Sequence, residues 1–178
     1  MKKIILTAAA VFAFSFANAQ EAKSFGFAKG DVYVSGSIRS SSETDKDSET
    51  TFAPSVGYFV SDNISLAANL AISNNGDNDK STKIGLGAMY NFNAANQFSS
   101  RIGLNLGFGN NDEVIDSKST EVSLSYGINY FVSSHFALTA DFAALEYVST
   151  KVDGSSATNK TTFGVDLSNI SLGLAYKF

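Results

Sequence analysis

Arg101-Ile102-Gly103-Leu104-Asn105-Leu106-Gly107-Phe108-Gly109 decides the fold of this chain. Its even positions carry Ile102, Leu104, Leu106 and Phe108, and its odd positions Gly103, Asn105, Gly107 and Gly109. Successive side chains of a strand point to opposite faces, so the stretch has one oily face and one face of tiny or polar groups. A helix would need apolar residues both three and four apart, and no two of these are three apart.

Working outward, the same alternation recurs. Ile84, Leu86, Ala88, Tyr90 and Phe92 alternate with Gly85, Gly87, Met89 and Asn91, and Val122, Leu124, Tyr126, Ile128 and Tyr130 with Ser123, Ser125, Gly127 and Asn129. Segments around Val32–Arg39, Phe52–Tyr58, Ile64–Ser73, Phe136–Ala143 and Ile170–Phe178 repeat it, which gives eight strands in all. Pro54 falls inside one of them and suggests a bulge or a strand end, because it cannot donate to a ladder. Parity slips near Ala143–Leu145 and between Leu167 and Ile170, where bulges are expected. Short connections (Val60–Asn63, Asn93–Gln97, Val132–Ser134) alternate with long polar ones (Ser40–Glu49, Ser73–Thr82, Asn110–Thr120, Ser149–Thr161), as an up-and-down order of hairpins requires. Tyr58-Phe59-Val60-Ser61 returns as Tyr130-Phe131-Val132-Ser133, a repeat of hairpins within one domain.

Composition narrows the function. The chain has 178 residues, 44% hydrophobic and 17% charged, a net charge of −4, no Cys and one His. The acidic balance argues against a nucleic-acid partner. Without Cys there is no thiolate metal or redox site, and a lone His135 cannot build a histidine cluster, so neither cofactor nor metal is expected. At the start, Lys2 and Lys3 precede an apolar run from Ile4 to Phe16 and then Ala17-Asn18-Ala19. A basic start, a short apolar core and an A-x-A site make a secretory signal peptide over residues 1–19, cleaved between Ala19 and Gln20. Residues 20–30 then read as a periplasmic lead-in, and 31–178 as the barrel domain.

Eight antiparallel strands close either as a soluble barrel with its large apolar groups inside or as a membrane barrel with them outside. Volume separates the two. Eight strands enclose a space just filled by side chains, and Gly85, Gly87, Gly103 and Gly107 suit a narrow lumen while making a poor soluble exterior. Aromatic residues gather near the short turns (Tyr58, Tyr90, Phe92, Phe98, Tyr130, Phe136, Tyr176, Phe178), with a smaller group near the long loops (Phe52, Phe108, Tyr147, Phe163). Two aromatic girdles are what a membrane barrel presents at its interfaces. The expected fold is therefore all-β, an eight-stranded antiparallel up-and-down transmembrane barrel.

In this respect the chain resembles the small eight-stranded outer-membrane barrels of the OmpX and OmpA-transmembrane-domain kind, and looks especially like those of Bacteroidetes. The most specific stretch is the end, Ser171-Leu172-Gly173-Leu174-Ala175-Tyr176-Lys177-Phe178. The resemblance implies a Gram-negative outer-membrane location, with short turns in the periplasm and long loops outside. It also implies recognition by the barrel-assembly machinery at Gly173, Tyr176 and Phe178. Fold does not carry function with it.

Charges on the inward face are the remaining candidates: Arg39, Lys83, Arg101, Glu121 and Asp141. An unpaired ion in a narrow lumen is costly, so they should pair or meet water, and Arg101 with Asp141 is the expected central pair. Ser134 and His135 stand together without a nearby acid, which fits a turn better than a catalytic site. The acidic run Asn74–Asp79 lacks the spacing of a calcium loop. The sequence reading is a monomeric, non-catalytic outer-membrane protein with a structural or surface-interaction role, whose partners are membrane lipids and an unidentified extracellular ligand. A narrow porin-like channel for small solutes or ions is the alternative, and a lipid-modifying envelope enzyme a weaker one.

Overall fold

A computed structural model of the chain describes residues 25–41, 49–75, 80–111, 117–152, 154–164 and 170–178. Nine strands form one sheet: β1 (Val32–Ser41), β2 (Glu49–Phe59), β3 (Ile64–Asn75), β4 (Lys80–Phe92), β5 (Phe98–Asn111), β6 (Ser117–Phe131), β7 (Phe136–Val152), β8 (Thr158–Phe163) and β9 (Ser171–Lys177). Every pairing from β1 to β7 is antiparallel and joins chain neighbours. The sheet closes where β9 pairs with β1 on one side and β7 on the other. The wall is an eight-position barrel, and closure leaves no backbone edge for lipid to solvate.

The eighth position is divided. β9 covers β7 from Phe136 to Asp141, and β8 covers it from Leu145 to Thr150. Among the described residues β1 pairs with β9 as far as Ile38↔Leu172, and β8 pairs with β7 alone. The sequence reads as a polar loop over Ser149–Thr161, whereas β7 continues to Val152 and β8 starts at Thr158. The reason is physical: all six β8 residues are exposed, so no in-and-out alternation marks them as a strand.

At β7, Leu124 pairs with Leu145 and Ser125 with Ala143, which leaves Ala144 as the extra residue of a bulge. The second parity slip, between Leu167 and Ile170, falls on residues outside those described. Pro54 produces neither bulge nor strand end. It sits mid-strand opposite Gly36, and the β2–β3 ladder lapses at Ala53–Pro54 and resumes in the same register. The missing N–H interrupts the pairing at these two residues without shifting the register.

The short turns explain their own repeat. In the first, the Val60 and Ser61 N–H groups donate to the Ile64 carbonyl, and Ser61 Oγ accepts from Ile64 N–H. Four strands on, Val132 and Ser133 donate to the Phe136 carbonyl, and Ser133 Oγ accepts from Phe136 N–H. Between β4 and β5 the turn uses Asn93 at φ 53, a left-handed conformation that Asn tolerates well.

The faces sort as a membrane barrel demands. Ile84, Leu86, Leu104, Leu172 and Leu174 are each more than half exposed on the outside. Inward positions are mostly Ser, Thr, Asn, Gly and Ala, with a few charges and, toward the short turns, Tyr33, Phe59 and Phe131; Ser65, Ser99, Asn91 and Asn129 are among the most buried side chains. Both aromatic groups point outward, and Tyr90 meets Phe92, Phe136 meets Tyr176, and Tyr176 meets Phe178 edge to face.

Candidate functional site

The lumen is built from cross-strand polar pairs. Ser35 and Ser55 hydroxyls lie 2.6 Å apart, and Thr51 and Ser73 hydroxyls 2.7 Å. Asn91 Nδ2 donates to Ser65 Oγ, Asn129 Nδ2 to Ser99 Oγ, and Asn105 Nδ2 to Ser125 Oγ. Among the described residues no buried side-chain polar atom lacks a partner. That is the condition under which a polar interior is stable rather than destabilising.

Two ion pairs cross this interior, and each skips a strand. Arg101 on β5 binds Asp141 on β7 through Nε (3.0 Å) and Nη2 (2.8 and 2.6 Å). Its Nη1 donates to Asn129 Oδ1. Gly127 on β6 is in register with both Arg101 and Asp141. A Cβ there would overlap the Asp141 carboxylate and press on the guanidinium, so the intervening glycine is what allows the two charges to meet. Lys83 on β4 reaches Glu121 on β6 (2.9 Å) across β5, where Gly109 faces Lys83 and Gly107 faces Glu121. The arrangement repeats: charge, glycine spacer, opposite charge.

Arg39 lines the lumen near the long-loop end and has no ion-pair partner among the described residues. Two further carboxylates, missed in the sequence, share the inward face. Glu49 accepts from Thr51 Oγ1, and Glu146 lies opposite the inward Ser123. Both fall in stretches where strand parity cannot be followed from the alternation alone. Between the Arg101–Asp141 pair and the rim lies a cavity of about 280 Å³, lined by Ser35, Ser37, Asn69, Asn105, Ser123 and Thr139 among others.

The short-turn end is stopped. Phe27 is 3% exposed and inserts among side chains from opposite walls. Its ring stacks on Phe59 at 4.6 Å, meets Phe131 edge-on at 4.9 Å and Tyr33 at 5.3 Å. Ala94, Ala137 and Ala175 complete the cluster. Phe59 and Phe131 are the inward residues of the two repeated turns, so the repeat supplies one wall of the stopper from each side. Residues 25–31 are laced to the mouth by their backbone. Phe27 N–H donates to the Ala94 carbonyl (2.6 Å), Gly30 N–H to the Phe59 carbonyl (2.9 Å), and Lys29 N–H to Asp62 Oδ1 (3.2 Å). Lys177 Nζ donates to the Gly26 carbonyl (2.6 Å) and lies 3.7 Å from Asp31. Gly26 has φ 85, and a Cβ there would run into the backbone of Ala94 and Ala95. From the sequence this segment reads only as a lead-in. The signal that could have found its partners is the inward parity of Tyr33, Phe59 and Phe131, three large rings on a face mostly kept small.

The C-terminal residues sit at the seam. Gly173 faces inward opposite Ser37 and Thr139, where a Cβ would crowd the Gly36 carbonyl. Phe178 N–H donates to the Val32 carbonyl (3.0 Å), and Tyr176 packs on Phe136 and Phe178. Ser134 Oγ and His135 Nδ1 are 2.8 Å apart within their turn, and the imidazole stacks on Tyr176. Among the described residues no carboxylate orients that histidine, and no group of three metal-ligating side chains occurs. Ala19 and Gln20, and residues 76–79 of the acidic run, lie outside the described residues.

Comparison with known proteins follows the same line. The profile of the "Outer membrane protein beta-barrel domain" family matches residues 6–178. Among solved structures, the N-terminal β-barrel domain of Pseudomonas aeruginosa OprF is similar at a TM-score of 0.60 and 16% identity, covering 85% of this chain and 100% of that one. Neisserial surface protein A is similar at a TM-score of 0.55 and 20% identity, covering 83% of this chain and 96% of that one. Among curated proteins none matches significantly.

Proposed function

Because the chain belongs to the outer membrane protein beta-barrel domain family, a premise that puts its barrel in the outer membrane, we propose that it is a monomeric, non-catalytic barrel with a structural or surface-interaction role. In this reading residues 1–19 are removed after Ala19. Gly173, Tyr176 and Phe178 are read by the assembly machinery, the short turns face the periplasm, and the long connections meet an extracellular partner. The observation that supports it best is the stopped inner mouth. A barrel closed by Phe27, Phe59 and Phe131 offers its surroundings only its lipid-facing wall and its outer end. One of the similar proteins, Neisserial surface protein A, carries a surface location in its own name, which agrees with the reading. The test is surface display of the parent chain beside a chain whose four long connections are replaced by short Gly-Ser turns. Binding to cells or surfaces should be lost with the loops while the barrel persists. Equal binding by both chains contradicts the proposal.

The lumen supports a second reading, a narrow channel, through its polar cavity of about 280 Å³. Steady conductance by the refolded parent chain in planar bilayers would favour it over the first.

A further inference from the structure

We propose that residues 25–31 are a removable stopper, and that the barrel conducts small hydrated ions once they leave the inner mouth. This goes beyond the surface role proposed above and does not depend on it.

Three observations carry the inference. The first is continuity: the cavity above the stopper runs from Arg39 and Glu121 at its rim down to Tyr33, lined by hydroxyls and amides interspersed with small apolar side chains, and Tyr33 is itself one of the rings touching Phe27. The cavity therefore extends down to a ring that packs on the stopper. The second is geometry. Phe59 and Phe131 approach from opposite walls, and the Phe27 ring stands between them in contact with both. The ring that completes the closure is thus the one that does not belong to the wall. Withdrawing it leaves a hole between two aromatic faces. The third is the nature of the attachment. Residues 25–31 belong to no strand except at their end, where Val32 begins β1. They are held by a handful of hydrogen bonds and one lysine rather than by a ladder. Segments with few such bonds open locally at lower free energy than the sheet they rest on. The Arg101–Asp141 pair lies above the stopper on the β5–β7 side, and hydroxyl-bearing side chains of β1 and β2 (Ser35, Ser37, Thr51, Ser55) line the cavity across from it.

Gly26 provides the test without touching the barrel wall. Gly26→Val places a side chain against the Ala94 and Ala95 backbone at a φ that β-branched residues avoid, so it drives the segment out of the mouth. Phe27→Ala removes the ring and keeps the segment. Each variant and the parent are refolded as the full chain, checked for the folded barrel by heat-dependent gel migration, and placed in planar bilayers in potassium chloride. The expected result is a silent parent, discrete conductance steps from both variants, and silence restored by Phe27→Leu. The proposal is overturned by folded Gly26→Val and Phe27→Ala proteins as silent as the parent, or by a parent that conducts as they do. Because both positions precede β1, failure of either variant to form the barrel also counts against it, since it would make the segment part of the fold rather than a stopper. Loss of surface binding plays no part in these outcomes.

Discussion

Gly127 contributes no side chain, yet the Arg101–Asp141 pair exists because of it. Two charges on strands two apart can meet only if the strand between them presents nothing. Replacing Arg101 by Ala leaves Asp141 and Asn129 facing a hole, and breaking a buried pair from one side costs about 3–5 kcal/mol. The low end is expected here, since Asp141 is 30% exposed to the cavity. Arg101→Met with Asp141→Leu should recover most of that loss, and urea unfolding in lipid vesicles measures both. On the other face, Leu86→Arg puts a cation into acyl chains and should cost about 2–4 kcal/mol, while Asn69→Arg, which points into the lumen, should cost less. Which residues carry charge inward is legible from parity. The Arg101–Asp141 pairing is legible too, whereas the Lys83–Glu121 pairing depends on the stagger between strands, which a single sequence does not encode until the turns are built.

At the scale of elements, the two copies of the Phe-Val-Ser turn behave as one device used twice. Each serine hydroxyl accepts the N–H groups that the turn leaves free, as an N-cap does for a helix. Ser61→Ala and Ser133→Ala should each lower stability by about 1 kcal/mol, and the double variant by the sum, because distant sites without shared partners add. An excess over additivity in unfolding measurements would mean that the stopper, touched by Phe59 and Phe131 alike, couples them. Alternation reveals the strands that separate lipid from lumen, from Ile64 through Tyr130, and the bulge at Ala144 as a break in that rhythm. It is silent about β8, whose six residues are all exposed. β8 is joined only to β7, so shortening the hairpin by removing residues 153–157 should leave the unfolding midpoint of the barrel unchanged.

Across the whole molecule, the barrel is readable because eight strands with oily exteriors admit one closed solution. The stopper is not, because Phe27 sits in a segment with no periodicity and finds its partners only after the wall has closed. Lys177 and Phe178, the last two residues, hold Gly26 and Val32, near the start of the described chain. The two ends of the described chain are thus fastened together at a single rim. A chain cut short before Lys177 would give up the clasp at this rim while keeping the cork's bonds to the turns, so such a truncation should loosen the closing seam before it uncorks the mouth.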